Sequence, residues 1–336
     1  MAITFPVLDL RDAYRGPTAR AALLDELRSA VHDIGFFQLV GHGVEGADQI
    51  LDLARTFFDL PESELAELSM LKSPHFRGYS EVGRELTKGA PDRRSQFDVG
   101  PEREARVPGP NDPAYLWVAG PNMWPTSMPE LKPTINRWMS QLTDVSHRLL
   151  RLILACLDAP EDFLDPVVSD DPQVHFKLLH YPGHPDDRPQ DDQGIGTHKD
   201  YGLLTLLLQD HLGGLQVSVN EGEFLDVPTV PGAFVVNLGE LLEVATRGYL
   251  RATTHRVVSP PPGVRRYSAP FFYNPRLDAT MLPLPTREVT QADGIAQDPD
   301  NPLSDSYGNN VMRGMLRAFP DVIAIHHPEL LERSAR

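Results

Sequence analysis

In the stretch GIGTHKDYGLLTLLLQ (194–209), His198 and Asp200 stand two residues apart, ahead of a run of leucines. Side chains of an extended backbone alternate faces, so positions i and i+2 point the same way, and an imidazole and a carboxylate converge on one point. That point is a candidate metal site. A third donor has to come from elsewhere, and His255, in the apolar and β-prone segment YLRATTHRVVSP (249–260), is the best placed. Two imidazoles and one carboxylate on one face leave coordination positions open to water and substrates, the donor set of non-haem ferrous centres. An HxD pair by itself also arises as a polar turn ahead of a core strand, so the rest of the chain has to agree with it.

The elements that must position these residues change character along the chain. Up to about residue 170 helical spacing dominates. Thr18 is expected to cap a helix that ends at Gly35, residues 47–58 and 61–71 carry two more helical patterns, and Pro61 opens the second of them. Residues 4–10 read as a short entry strand, and FFQLVGHGV (36–44) as a strand followed by a turn. His42 in that turn has no carboxylate or imidazole at ligand spacing, and we expect it to be structural. Residues 73–100 mix Gly, Arg and aromatics without a clean period, the composition of an ordered loop that could cover a site. The longest helical pattern covers 129–157, with Ile135, Trp138, Met139, Leu142, Val145, Leu149, Leu152 and Ile153 on one stripe, as expected of a helix lying on a sheet.

From about 172 the texture turns to short runs bounded by Gly and Pro: VHFKLLHYP, LLTLLLQ, LQVSV, AFVVNL, HRVVS and RRYSAPFFYN. Strands at this spacing predict a sandwich or barrel. The fold class expected is mainly β with α: a double-stranded β-helix, the cupin-like jelly roll, with a helical N-terminal region packed around it. The divisions expected are 1–120 for that region, 121–170 for the supporting helix, 171–285 for the core and 286–336 for closing helices.

Composition narrows the function. The 336 residues hold 31 Lys and Arg against 47 Asp and Glu, and the resulting charge of −16 repels phosphate backbones, so nucleic acid is not an expected partner. The single cysteine, Cys156, excludes an intrachain disulfide and thiolate clusters, and its apolar helical setting suggests a buried spectator. No secretory signal and no apolar run long enough for a membrane span is apparent, so we expect a cytoplasmic protein without membrane partners, a monomer or weak homo-oligomer.

With these motifs in place, the chain resembles the isopenicillin N synthase-like branch of the Fe(II)- and 2-oxoglutarate-dependent dioxygenases over nearly its whole length. FPVLDL and GFFQLVGHGV look like that family's N-terminal region. HYPG, THKDYGLLTLLLQD, GGLQV, VVNLGELLEVATRG, ATTHRV and RRYSAPFFYNP look like its core, in the family's order, and SYGNNVMRGMLRAFPD resembles the closing helix of isopenicillin N synthase. The resemblance implies that His198, Asp200 and His255 bind Fe(II). It implies that Arg266 and Ser268, an RxS pair whose arginine stands eleven residues after His255, join Tyr181 in holding 2-oxoglutarate. A guanidinium suits that task because its planar fork grips a carboxylate with two charge-assisted hydrogen bonds. Lys177, on the face of Tyr181, together with Phe272 and Phe97, are candidates for lining the substrate pocket. The activity implied is oxidation of an unactivated C–H bond of a small-molecule metabolite by O2, with release of succinate and CO2, by hydroxylation, desaturation or cyclisation in secondary metabolism.

Departures keep rivals open. Leu179 stands where plant-type members have Asn, Lys199 occupies the middle of HxD and should face away from the metal, and Glu240 replaces a commoner Asp. Isopenicillin N synthase itself lacks that Asn and uses no 2-oxoglutarate, so an oxidase is one alternative, an ethylene-forming enzyme another, and a non-catalytic ligand-binding jelly roll a third. Arg84, Arg93 and Arg94 could meet an anionic substrate, though surface arginines usually meet water.

Overall fold

The computed structural model describes residues 5–109, 111–184, 193–220, 223–292, 294–295 and 303–334. The sequence reads as an ordered, proline-bearing connection over 182–189, of which 185–189 lie outside the described residues. In chain order the strands are β1 (Val7–Asp9), β2 (Phe36–Val40), β3 (Gly78–Ser80), β4 (Leu86–Thr87), β5 (Ala90–Pro91), β6 (Ser95–Val99) and β7 (Gln173–Tyr181). There follow β8 (Gln193–His198), β9 (Leu204–Gln209), β10 (Leu215–Asn220), β11 (Glu223–Asp226), β12 (Phe234–Leu238), β13 (His255–Val258) and β14 (Arg266–Asn274).

Alternation along these strands builds two sheets and two cores. In β12, Phe234, Val236 and Leu238 enter one hydrophobic cluster while Val235 enters another. In β7, Val174, Phe176 and Leu178 join the first cluster, and Leu179 and Tyr181 the second. The large sheet runs β1-β2-β12-β9-β14-β7-β6-β3, and a second sheet runs β11-β10-β13-β8. β1 and β2 pair in parallel, and the large sheet's other neighbours are antiparallel. The second cluster joins Phe36, Leu179 and Val235 of the large sheet to Ile195, Val217 and Val257 of the small one, so it is the filling of a jelly roll.

The outer face of the large sheet carries the helices. Helix Leu131–Cys156 has 26 residues, about 39 Å, and buries the whole apolar stripe read from its spacing. Trp138 meets Phe234 of β12 edge-on at 5.8 Å, which places the stripe on the sheet as expected.

Helix starts were read less well than helix faces. The first helix begins at Pro17, behind Gly16, so Thr18 lies inside it and caps nothing. A π turn over Ala30–Ile34 then carries the chain to Gly35 at φ 71°, where a side chain would collide with the Arg251 carbonyl at 2.2 Å. The pattern at 61–71 yields a helix over Glu62–Glu67 with Pro61 as its cap residue and a separate short turn at Met70–Lys72. Residues 73–100 are not a loop: they contain β3, the hairpin β4–β5, and β6, which extends the large sheet beside β7. His42 is structural, with Nε2 2.9 Å from the Gly232 carbonyl and Nδ1 accepting from the Val44 amide.

Candidate active site

His198 ends β8 and His255 begins β13, and the ladder between these strands sets the two directly opposite each other. Their rings lie 4.3 Å apart between centroids. Asp200 follows where the chain leaves β8, and its backbone carbonyl accepts from the Glu240 amide at 2.7 Å. Nε2 of His198 is 3.7 Å, and Nε2 of His255 4.0 Å, from Oδ1 of Asp200. One ligand atom from each residue thus falls within 4.8 Å of the others.

The surroundings orient these atoms for a cation. Nδ1 of His198 sits 2.8 Å from the Gly196 carbonyl, and Nδ1 of His255 3.1 Å from that of Thr253, so each Nδ1 carries the proton and each Nε2 keeps its lone pair. Thr205 Oγ1 donates to Oδ2 of Asp200 at 2.5 Å and Asn237 Nδ2 at 2.8 Å, leaving Oδ1 for the space between the imidazoles. Burial, reinforced by His198, pushes the His255 imidazole down to about 4, so it is neutral at ordinary pH. Burial alone would raise the Asp200 carboxyl, but the imidazoles and the Asn237 and Thr205 donors outweigh it and hold it below its usual value. A carboxylate and two imidazoles whose Nδ1 atoms are engaged by carbonyls, with Nε2 turned toward the carboxylate, make a pocket that suits Fe(II). Removing a group that orients a ligating carboxylate typically costs 10–100-fold in metal affinity. Asn237→Ala is expected to weaken Fe(II) binding by roughly tenfold or more on that basis, read as metal retained after dialysis against a chelator series.

On the inner face of the large sheet, Arg266 is 1% exposed and held from three sides. Its Nε donates to the Gly213 carbonyl at 2.5 Å, Nη2 to Gln209 Oε1 at 3.0 Å and Nη1 to Ser268 Oγ at 3.3 Å. The guanidinium carbon lies 4.7 Å from the centre of the Tyr181 ring, its partner across the β14–β7 ladder. Arg265, one position away, points out and pairs with Asp59 at 2.8 Å. Lys199 turns from the triad to Glu243 at 2.9 Å, as its place inside HxD predicts.

The three residues read as pocket-lining fare differently. Phe272 lies on the inner face, opposite Thr205 on one side and His175 on the other. Lys177 is also on that face, but it is buried and paired with Glu85 at 3.1 Å and Asp98 at 3.2 Å. Phe97 does not belong there. It lies opposite Leu178 and is fully buried on the other side of the sheet, 4.4 Å from Phe57 and 5.9 Å from Trp124. Its neighbours Gln96 and Asp98 take the inner face instead, because alternation allows only one parity there.

Sequence reasoning missed Thr205, Asn237 and Gln209. The signal was present: Thr205 and Gln209 are the polar members of LTLLLQ, four residues apart and therefore on one face, and Asn237 is the polar member of FVVNL. Of the arginines weighed for an anionic substrate, Arg94 is only 8% exposed and bonds Glu85 at 2.6 Å, while Arg84 pairs with Asp321.

Comparison with known proteins agrees with this geometry. Residues 5–127 match the family model described as non-haem dioxygenase in morphine synthesis N-terminal, and residues 172–275 that of the 2OG-Fe(II) oxygenase superfamily. The chain is 33% identical to the 2-oxoglutarate-dependent dioxygenase frbJ of Dothideomycetidae sp. (strain 11243), over 95% of this chain and 90% of that one. It is 35% identical to a homoarginine-6-hydroxylase of Arabidopsis thaliana, over 79% and 80%. Among solved structures, a full-length Neurospora crassa protein in complex with alpha-KG and thymine superposes with a TM-score of 0.76 at 26% identity, covering 92% of this chain and 96% of that one. A putative 2OG-Fe(II) oxygenase family protein from Caulobacter crescentus gives 0.75 at 28%, covering 93% and 98%. The chain therefore belongs to the 2OG-Fe(II) oxygenase superfamily and is a dioxygenase that uses Fe(II), 2-oxoglutarate and O2.

Proposed function

We propose that His198, Asp200 and His255 hold the iron and that Arg266, Ser268 and Tyr181 hold 2-oxoglutarate, in an enzyme that oxidises an unactivated C–H bond of a small polar metabolite. The observation that carries this reading is a triad whose ligand atoms lie within 4.8 Å of one another in a jelly roll whose interior also buries a guanidinium clamp. When bound, the iron activates O2 and couples conversion of 2-oxoglutarate to succinate and CO2 with oxidation of the substrate.

The protein's own contribution is positional. Thr205 and Asn237 fix the Asp200 carboxylate with one oxygen free, and the Gly196 and Thr253 carbonyls fix the imidazole tautomers. Gly213 and Gln209 hold the Arg266 fork so that its remaining donors, with Ser268, face the distal carboxylate of the co-substrate. Leu179 offers no hydrogen bond where plant-type relatives have Asn, so the 2-oxo acid end depends on the metal rather than on β7. The hairpin β4–β5 and helix Tyr307–Ala318 act as covers. Asp92 ties the hairpin to the strand of His198, accepting from Thr87 Oγ1 at 2.8 Å and from the Gly196 amide at 3.0 Å.

The net charge of −16 supports a small molecule rather than nucleic acid as partner. No described helix is long and apolar enough to cross a membrane. We place the enzyme in the cytoplasm, as a monomer or weak homo-oligomer of secondary metabolism. Succinate formed per O2 consumed tests the reaction: a one-to-one ratio is expected, and oxygen uptake without succinate would turn the assignment to a 2-oxoglutarate-independent oxidase.

A further inference from the structure

On the inner face, a line of buried ionisable side chains runs away from the clamp. Arg94 bonds Glu85 Oε2 at 2.6 Å, Glu85 pairs with Lys177 at 3.1 Å, Lys177 with Asp98 Oδ1 at 3.2 Å, and the same Oδ1 lies 2.8 Å from His175 Nε2. Burial pushes the His175 imidazole down, so it adds no charge. Burial alone would raise Glu85 and Asp98, but Arg94 and Lys177 at the first, and Lys177 and His175 at the second, hold both below the usual carboxyl values.

What distinguishes this cluster from a closed structural network is that three of its polar atoms have no partner among the described residues. They are Asp98 Oδ2, Gln96 Nε2 and Arg94 Nε, on side chains 1%, 1% and 8% exposed. A buried acceptor or donor left unmade costs on the order of 1–3 kcal/mol, so such atoms call for a ligand. They are one acceptor on a carboxylate and two donors, one of them on a guanidinium. Gln96 and Asp98 are two residues apart on β6, opposite Leu179 and Lys177, and so face the interior that holds Tyr181 and Arg266. Both covers reach Lys177: Glu85, from the segment before β4, pairs with it, and Phe319, just beyond helix Tyr307–Ala318, lies 5.7 Å from its Nζ.

Resting on the oxygenase reading above, we infer that this cluster is the substrate's polar subsite and that the substrate carries a free α-amino acid head. Its ammonium sits on Asp98 Oδ2, and its carboxylate on Gln96 Nε2 and Arg94 Nε. An ammonium alone would leave both donors unmade, and a carboxylate alone would face the unpaired Asp98 oxygen. The rest of the molecule runs over Phe272, whose neighbours across the sheet are His175, bonded to Asp98, and Thr205, bonded to Asp200. Those two positions are two strand spacings apart, about 10 Å, so the carbon attacked is on the side chain and not next to the head.

The test uses the full-length protein. Succinate formed from 2-oxoglutarate without added substrate is measured first. A panel of L-α-amino acids with neutral, acidic and basic side chains is then titrated, by calorimetry without O2, into protein loaded with Zn(II) and 2-oxoglutarate. At least one member is expected to bind and to raise succinate formation, and its N-acetyl and its amide derivatives to bind at least tenfold more weakly. Asp98→Asn is expected to weaken that member by roughly tenfold, the loss of one charge-assisted hydrogen bond. The comparison of derivatives on the wild-type protein stands even if this variant folds poorly. Equal binding of N-acetylated and free forms, or no binding by any panel member, overturns the inference. Absence of succinate under all conditions overturns instead the oxygenase reading beneath it.

Discussion

Asp200→Asn is expected to remove metal-dependent turnover while leaving the metal-free fold intact. The substitution keeps the shape of the side chain and removes the charge that two imidazoles and two hydrogen-bond donors surround. The amide oxygen of Asn can still accept from Thr205 and Asn237, so the metal-free protein keeps the contacts that hold this side chain. With a cation the Asp200 carboxylate is the one anionic ligand. Ligand loss should exceed the 10–100-fold that follows loss of an orienting group, so an Fe(II) affinity at least about a hundredfold lower is expected. Thermal unfolding reads this directly, because a metal at a hundred times its Kd stabilises the wild type by about 2.7 kcal/mol. Were added Fe(II) to raise the unfolding temperature of Asp200→Asn as much as that of the wild type, the triad would not be the metal site.

Arg266→Met carries the second large effect. Truncating a buried, hydrogen-bonded charge that meets an opposite charge costs about 2–5 kcal/mol, so the Kd for 2-oxoglutarate should rise by roughly a hundredfold, with Fe(II) binding unchanged. Arg266→Lys is expected to fall between, since an ammonium keeps the charge but cannot reproduce the fork that Gly213, Gln209 and Ser268 orient. Kinetics at varied 2-oxoglutarate separate this from general damage: the KM should move far more than kcat. An unchanged 2-oxoglutarate dependence in Arg266→Met would show that the clamp serves another ligand.

How far the sequence carried depended on whether a feature was local. The shared face of His198 and Asp200 follows from i and i+2 spacing alone, and that of Arg266 and Ser268 likewise. The apolar stripe of helix Leu131–Cys156 was legible because 3.6-residue periodicity persists over many turns. His255 stood out as a candidate third donor by its apolar, β-prone segment, but its pairing with His198 was not derivable from spacing, since ladder register between distant strands is set by tertiary packing; the family resemblance supported it. Residues 73–100 looked like a loop because β3 to β6 are two to five residues long, too short for alternation to register. Phe97 was misassigned for a related reason. In SQFDV every position is buried, so composition does not tell which parity faces the site, and only the ladder with β7 does. The inner-face partners of Asp200 were hidden in leucine- and valine-rich strands whose isolated polar residues were passed over as interruptions.

The chain's single sulfhydryl also has a practical consequence. Cys156 is 2% exposed, lies 3.1 Å from the Ile153 carbonyl, and has its thiol pushed up by burial to about 12, so it holds little thiolate at neutral pH and offers alkylating reagents almost no access. The native protein is thus a silent background for maleimide chemistry. One cysteine placed on the exposed Gly89 tip of the β4–β5 hairpin, where an added Cβ meets nothing within 4 Å, would carry a fluorophore or spin label at a unique address, although the left-handed φ of 79° there adds some strain. Opening and closing of that cover could then be followed spectroscopically in solution.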